Sequence, residues 1–436
     1  MKLSKKLAIV AIPAAMAISA PEESKSKLLL MSQEGWEVSF DGAANAFYTF
    51  QDSGEFESPN GVGTREADLA IRDDGEQSSN IQVGLLPNVW GMTLKAPTTG
   101  GLDMQARIGF YTHINGANGS YGSATSGAGQ WNQGGYINNR ETNFSVSGDF
   151  GTVLLGRTLR LYQQNAIVKD QTLFGVGTYA GDASDTTLGR IGAGYLYANF
   201  GEQIQWTTPG FGPFGLALSI NGPSDPDGDT ANFETPTPAF QFKLDFNQEF
   251  NGVATGVWVD GHYQYAEFSA AGAAVYKSKN SLNTTAAANR AEQEGVDIAG
   301  GGAGITLAYD KFSFVGAGFF THGMGHTLGY NAGFDTHLNP VNFMGYYAQI
   351  NVDLGGGTNA GFSWGQNERA GRPIHAAESA ASINPLAAQE HYNAMIWHNV
   401  NDSFRLIAEY GHTEARFHQA GNQKAETVSL GGFFFW

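Results

Sequence analysis

The chain has 436 residues, of which 59 are glycine, none is cysteine and only 15% are charged, well below the usual share of about 25%. Without cysteine it has no disulfide framework, thiol chemistry or cysteine-based metal site. A formal net charge of −17 argues against nucleic acid as a partner. Few charges, frequent glycine and 12% aromatic residues favour a strand-rich wall with aromatic girdles.

The first 20 residues have the layout of a secretory signal peptide. Three lysines within the first six residues precede the uncharged run 7–20, which ends in small side chains. Cleavage after Ala17 or after Ala20 fits, and the sequence leaves both open. The run is too short to span a membrane as a helix, and no later stretch has about 20 consecutive apolar residues. Cleavage after residue 20 would leave 21 basic against 41 acidic residues, a net charge of −20.

Residues 21–35 fit no strand, and we predict a flexible periplasmic lead, with an N-terminal interaction segment as the alternative. From residue 36 to residue 436 the sequence predicts one β-barrel domain. Short stretches alternate between apolar and polar residues, which is the period of a β-strand.

The clearest alternating stretch is 239–246, where Lys243 and Asp245 lie on the face opposite a row of phenylalanine and leucine. Stretches 102–110 and 257–265 have the same pattern. Charged side chains facing a dry core would be very costly, whereas facing a water-filled lumen they cost little. A buried β-sandwich explains one such strand equally well. It does not explain the regular alternation of short and long connections.

Seven short turns rich in glycine, asparagine and aspartate divide the chain, at 98–101, 148–151, 210–215, 251–252, 310–311, 355–359 and 401–403. About 40 to 60 residues separate successive turns, enough for two spanning strands and one longer loop. We therefore predict 16 strands: 36–50, 78–97, 102–114, 136–147, 152–161, 195–208, 215–222, 238–250, 253–266, 295–309, 312–323, 342–354, 360–368, 390–400, 404–416 and 425–436. This is an all-β, 16-stranded antiparallel transmembrane β-barrel with long external loops and short periplasmic turns. Sixteen strands leave an aqueous channel.

The last strand ends in three phenylalanines and a tryptophan. Val428, Leu430, Phe434 and Trp436 recur at every second position, so they share one face of an extended strand. A soluble protein would have to bury that face, as in the final strand of a β-sandwich, whereas a membrane barrel can expose it to lipid.

The final residues Ser429–Trp436 resemble the terminal signal by which outer-membrane barrels are recognised for assembly. Segments Asn143–Arg157 and Tyr197–Ile220 are similar to successive hairpins of the general, trimeric porins of Gram-negative outer membranes. With the strand count, the resemblance covers most of residues 36–436. It departs at Trp436, where that family usually ends in phenylalanine.

The resemblance implies a water-filled channel in the outer membrane for passive diffusion of small hydrophilic solutes and ions. It further implies a homotrimer, contact with outer-membrane lipid and with the barrel-assembly machinery, and no cofactor. Barrel-to-barrel packing would suit the small residues at 299–304 and 360–361.

The family also folds its third long loop into the channel. Here that loop would be Leu161–Arg190, able to bend at Gly175, Gly177 and Gly181. Its acids, opposed to basic wall side chains, would set up a transverse field across a constriction. The expected constriction acids are Asp170, Asp182 and Asp185. Alternatively, each is an ordinary solvated loop residue.

The expected basic wall residues are Arg107, Arg157 and Arg160. Strict alternation aligns Arg157 with Leu155 on the lipid face, where a charge at mid-bilayer costs about 2–4 kcal/mol. A bulge at Gly156 would turn Arg157 inward, and we favour that bulge. Further lumen candidates are Lys243, Asp260, Arg405 and Glu409.

Other functions have weaker support in the sequence. His322 and His326 lack a third metal ligand at a defined spacing, and no hydrolase elbow, phosphate loop or zinc-protease motif occurs. We therefore expect neither an enzyme nor a metal site. The alternatives are a substrate-specific channel with Trp258 and Tyr347 as binding rungs, or a barrel adhesin or enzyme. The acidic net charge favours cations, although an arginine-lined wall could override it locally.

Overall fold

The computed structural model describes residues 27–56, 64–65, 71, 77–114, 137–179, 186–226, 231–280, 294–329, 332–335, 337–371, 383–384, 386–418 and 421–436. The expected signal peptide with its cleavage site, residues 21–26 of the expected lead, and Gly181, Asp182 and Asp185 lie outside these residues.

The described residues form twenty-one strands and three helical segments. The strands are Leu28–Gln33 (β1), Trp36–Ser53 (β2), Thr64–Arg65 (β3), Gln77–Gln82 (β4), Asn88–Lys95 (β5), Asp103–Thr112 (β6), Ile137–Gly148 (β7), Gly151–Leu159 (β8), Phe200–Thr207 (β9), Phe214–Asn221 (β10), Phe233–Glu234 (β11), Ala239–Phe250 (β12), Val253–Phe268 (β13), Gly295–Tyr309 (β14), Phe312–His322 (β15), Asn342–Gly355 (β16), Thr358–Ala370 (β17), Ile383–Asn384 (β18), Leu386–Asn401 (β19), Phe404–Phe417 (β20) and Asn422–Phe435 (β21). The helical segments are Gln164–Lys169 (α1), the 3-10 turn Gln171–Phe174 and Ala270–Asn280 (α2).

Sixteen antiparallel strands close into a barrel, which confirms the predicted fold. Each wall strand pairs with the next along the chain, and β21 returns to pair with β2 from Ala43 opposite Phe435. β4 and β5 both pair with β2 and make up one interrupted wall strand. The interruption at 83–87 turns inward, where the Leu85 amide donates to the Gly175 carbonyl at 2.9 Å. Strands β1, β3, β11 and β18 stand outside this count.

The wall alternates as the sequence predicts. Val428, Leu430 and Phe434 are 45%, 56% and 52% exposed, whereas Phe433 is completely buried inside. Trp436 packs outside against Trp90, with ring centroids 4.9 Å apart. The outer face of this strand is therefore largely apolar and suits lipid. None of the described helices has the length and apolar character needed to cross a membrane.

The expected lead contains a strand, so the prediction that residues 21–35 fit no strand is wrong for β1. Leu28 pairs with Phe40 and Gln33 with Trp36 in a tight hairpin. The turn needs a positive φ at two successive residues, and Gly35 supplies one of them at +82°. β21 pairs with β2 only as far as Gly42. β1 pairs with the remaining residues 36–40 of β2 on the same edge.

Candidate functional site: the channel interior and its inserted loop

The described parts of the chain between β8 and β9, residues 160–179 and 186–199, turn into the barrel and are here called the inserted loop. Its hydrogen bonds reach three distant wall strands: Gln163 to Asp260 at 3.3 Å, Gln171 to Asn393 at 2.9 Å and Val176 to Glu409 at 3.0 Å. It contains the segment Leu161–Arg190 that the sequence predicts to fold inward. The loop therefore crosses the lumen and rests on the wall from β13 to β20.

A row of small residues on β14 makes room for this loop. A Cβ atom at Gly300 would lie 2.5 Å from the Tyr162 hydroxyl, and one at Gly302 would lie 2.3 Å from the Gln163 amide nitrogen. These glycines face inward, so they seat the loop. The expectation that the small residues at 299–304 pack against another barrel is wrong for these two positions.

Asp170 lies inside the loop anchor and does not face the open lumen. It is 3% exposed, accepts a hydrogen bond from the Tyr195 hydroxyl at 2.7 Å, and lies 3.8 Å from the Arg190 guanidinium. Burial lowers the pKa of Arg190, and the Asp170 carboxylate opposes that shift. The expectation that Asp170 forms an exposed acidic side of the constriction is wrong, because its charge is neutralised within the loop.

Arg190 also ties the loop to the wall. It donates to the His391 carbonyl at 3.1 Å and to the Ser363 hydroxyl. The side chain has no exposed surface. Arg190 thus links three elements, the loop, β17 and β19, through one buried cation.

The far end of the loop is held by β20 and β21. Glu409 accepts hydrogen bonds from the Val176 and Gly177 amides at 3.0 and 2.9 Å. Phe174 packs on Phe433 with ring centroids 5.5 Å apart. Arg405, 5.7 Å from the Phe174 ring, is half-buried at this end of the loop. Glu409 and Arg405 do lie on the inner side of the wall, but Glu409 serves as a loop anchor.

Arg107 faces inward, between two carboxylates. It makes two 2.9 Å hydrogen bonds to Asp41 and one of 3.1 Å to Glu141, and it is 7% exposed. Sequence reasoning missed both acids, although each falls on an inward-facing position of its strand. The triad as a whole carries one net negative charge, so this part of the wall is not basic.

Arg157 stays on the outer face. The pairing of β8 with β7 and β9 has no register shift at Gly156, so the bulge we favoured is absent. Arg157 lies opposite Thr142 and Glu202, two residues beyond the lipid-facing Leu155. Its guanidinium is 3.7 Å from the Glu202 carboxylate. The expectation that it lines the pore is therefore wrong.

Arg160 lies where the inserted loop begins. It is 7% exposed and donates to the Gly222 carbonyl and the Ser224 hydroxyl, both at 3.1 Å. These contacts fix the base of the loop to the connection after β10. Arg160 therefore does not present an open basic surface.

The charges of β12 lie beneath α1. Lys243 donates to Gln164 at 2.7 Å, and Asn165 donates to Asp245 at 2.6 Å. Asp260 on β13 is 1% exposed and is covered by Gln163. Lys243 thus lies on the inner side of the wall, and Asp260 holds the loop through Gln163. Sequence reasoning missed Lys169, Arg190 and Asp245 as functional candidates, because only the folded loop brings Lys169 near Asp245 and Arg190 near Asp170.

The two aromatic rungs expected for a substrate-specific channel are covered. Trp258 and Tyr347 are each 2% exposed, and the Tyr347 hydroxyl donates to the Ala166 carbonyl at 2.8 Å. Both support α1, so neither can bind a passing solute.

The histidines near the external end take part in local packing. His322 bonds Asn342 at 2.7 Å, and burial lowers the pKa of His326 to about 4. Within the described ranges, no group of three histidine or acidic side chains could hold a metal ion.

Comparisons with known proteins agree with the fold. The structure is similar to the outer membrane channel DcaP of Acinetobacter baumannii, at 11% identity and a TM-score of 0.62, covering 93% of this chain and 99% of that one. It is also similar to an anion-selective porin from Comamonas acidovorans, at 13% identity and a TM-score of 0.57, covering 92% and 100%. OprB of Pseudomonas putida matches at 9% identity and a TM-score of 0.52, covering 91% and 94%. A search of curated proteins by sequence gives no match. The family model described as Gram-negative porin matches residues 7–436, and the chain therefore belongs to the Gram-negative porins.

Proposed function

We propose that this outer-membrane porin is a passive, non-enzymatic diffusion channel whose bore is set by the inserted loop. The observation that supports it best is the combination of a closed barrel, apolar outside and polar inside, with a loop hydrogen-bonded to the opposite wall. Water and small solutes can pass only through the space that the loop leaves. Charged and polar side chains there replace part of the hydration of a solute.

Conductance of the purified protein in planar bilayers tests this function. We expect stepwise, ohmic currents that rise in proportion to bulk potassium chloride, because a water-filled pore carries the ions of the bathing solution. Complete block by a single solute would indicate a substrate-specific channel instead, whereas a partial reduction of the current by small anions as a class would leave the diffusion function standing. Folded protein that inserts without any conductance would contradict the proposal.

We also propose that the channel is a homotrimer whose subunits meet on the outer face of β5 to β8. The strands are short on this side of the barrel. β8, β9 and β10 have 9, 8 and 8 residues, whereas β13 and β19 have 16 each. An open groove of about 550 Å³ runs over this face, lined by Met92, Ala106, Ile108, Phe144 and Leu155 among others.

The Arg157–Glu202 pair favours a protein neighbour over lipid here. Arg157 is six residues above Gly151, which puts it roughly 15 Å above the periplasmic turn at the usual rise and tilt of a barrel strand. That depth is inside the apolar band of about 25 Å. A second copy of the chain seated on this face would shield the charges from acyl chains.

Tryptophan at Ala106 tests this interface. A tryptophan side chain is tolerated on a lipid-facing surface, so Ala106→Trp should leave the barrel folded. The added ring should fill the groove and prevent the subunits from associating. The matched control is Ala394→Trp, an exposed alanine on the outer face of β19. Mass measurement in detergent should show monomers for Ala106→Trp and trimers for Ala394→Trp. Trimers in both variants would contradict the assignment of the subunit interface to β5–β8.

A further inference from the structure

Among the described residues beside the inserted loop, the accessible charges are mostly positive. Lys169 and Arg405 are half-buried, and the Lys243 side chain is 17% exposed. Asp245 is the described acid among them, 29% exposed. The other described acids at the level of the loop are at most 6% exposed and hydrogen-bonded: Asp41, Glu141, Asp170, Asp260 and Glu409. The acidic net charge of the chain therefore does not describe this part of the lumen.

Two lysines lie near one carboxylate here, and one of them pairs with it. The Lys243 ammonium is 3.7 Å from an Asp245 oxygen, and the other Asp245 oxygen is held by Asn165. Lys169, the last residue of α1, lies with its ammonium 5.5 Å from the centre of the Trp258 ring. The cluster of Lys169, Lys243 and Asp245 thus carries one net positive charge and borders the lumen below the loop.

Lys169 would gain most from an added anion. Burial lowers its pKa, and the neighbouring Lys243 charge acts in the same direction, whereas Asp245 opposes both. A small anion between the two ammonium groups would offset the repulsion between them. Since the cluster has a single net charge and retains a carboxylate, it suits a monoanion better than a dianion.

We propose that Lys169 and Lys243 form a binding site for small monocarboxylate solutes at the constriction and give the channel a preference for anions. This inference depends on the proposed channel function. It gives the inserted loop a positive charge at the constriction, where the sequence analysis expects acids, and adds Lys243 of β12 on the wall. Lysine suits such a site because its compact ammonium attracts an anion without imposing a fixed geometry.

Reversal potentials across a potassium chloride gradient test the preference. We expect the unmodified channel to pass chloride more readily than potassium. Lys169→Gln and Lys243→Gln should each lower the chloride-to-potassium permeability ratio roughly threefold to fivefold, the effect of one charge about 5 Å from the ion path in water. The control is Lys424→Gln, which removes the same charge on the outer face beside Glu414 and should leave the ratio unchanged.

Propionate tests the binding site separately from bulk selectivity. At constant ionic strength, added propionate should reduce the chloride current in the unmodified channel and in Lys424→Gln, but much less in the Lys169→Gln/Lys243→Gln double variant. A conducting channel that prefers potassium, or one equally sensitive to propionate in the double variant, overturns this inference and leaves the diffusion function standing. Absence of any conductance overturns the proposed function as well.

Discussion

Replacing Arg190 with methionine should open the channel. The substitution leaves the Asp170 carboxylate buried without its counter-charge, and removal of one partner from a buried ion pair costs about 3–5 kcal/mol. It also removes the hydrogen bonds from the loop to Ser363 and the His391 carbonyl. We expect the loop to leave its seat, and single-channel recordings to show larger and noisier conductance steps.

Two further variants make the result specific to the buried pair. Arg190→Met combined with Asp170→Asn removes both charges, so much of the original conductance should return. The control is Arg416→Met. Arg416 pairs with Glu390 on the outer face and is 40% exposed, so its removal should leave the conductance unchanged. Unaltered conductance in Arg190→Met would show that the loop does not depend on this anchor.

Truncating Phe433 should strongly destabilise the barrel. Phe433 has no exposed surface, and its ring packs against Phe47 and Phe174 at centroid distances of 5.9 and 5.5 Å. Phe433→Ala would leave a cavity where wall and loop meet, at a cost of about 3–5 kcal/mol in the free energy of unfolding. Urea-induced unfolding in lipid vesicles, followed by tryptophan fluorescence, measures this loss.

The neighbouring Phe434→Ala is the matched control. Phe434 is 52% exposed on the lipid face, so acyl chains can fill the space of the missing ring and no cavity forms. Refolding the purified chain into vesicles avoids the assembly machinery, for which the terminal aromatic residues resemble a signal. Equal losses in the two variants would contradict the assignment of Phe433 to the inside.

The wall could be predicted from the sequence because strand alternation is local. Apolar residues at every second position of β12 and β21 indicate which face of the strand contacts lipid. Short turns such as 251–252 and 310–311 indicate where one strand ends and the next begins. The prediction missed β1, whose exposed run Leu28–Met31 has no alternation. It also missed the interruption between β4 and β5, which exists because the chain bends inward to bond the loop.

The interior could not be predicted in the same way, because its contacts join residues far apart in the chain. In the sequence, Asp170 is indistinguishable from an ordinary acidic loop residue. Its contacts with Arg190 and Tyr195 form only in the folded protein. The alternation along β6 indicates that Arg107 faces inward, but its partners Asp41 and Glu141 come from other strands. For Arg157, the cost of a charge in lipid suggested a bulge, whereas the structure keeps the register and supplies Glu202.

The anchoring of the inserted loop by Glu409 has a consequence for the order of assembly. Val176 and Glu409 are separated by 233 positions in the chain, so the clamp cannot form until the penultimate strand has been added. Before that point the barrel is not closed and the inserted loop lacks its anchor at Glu409. A barrel without β20 should therefore hold the loop less firmly and conduct less evenly than the finished channel.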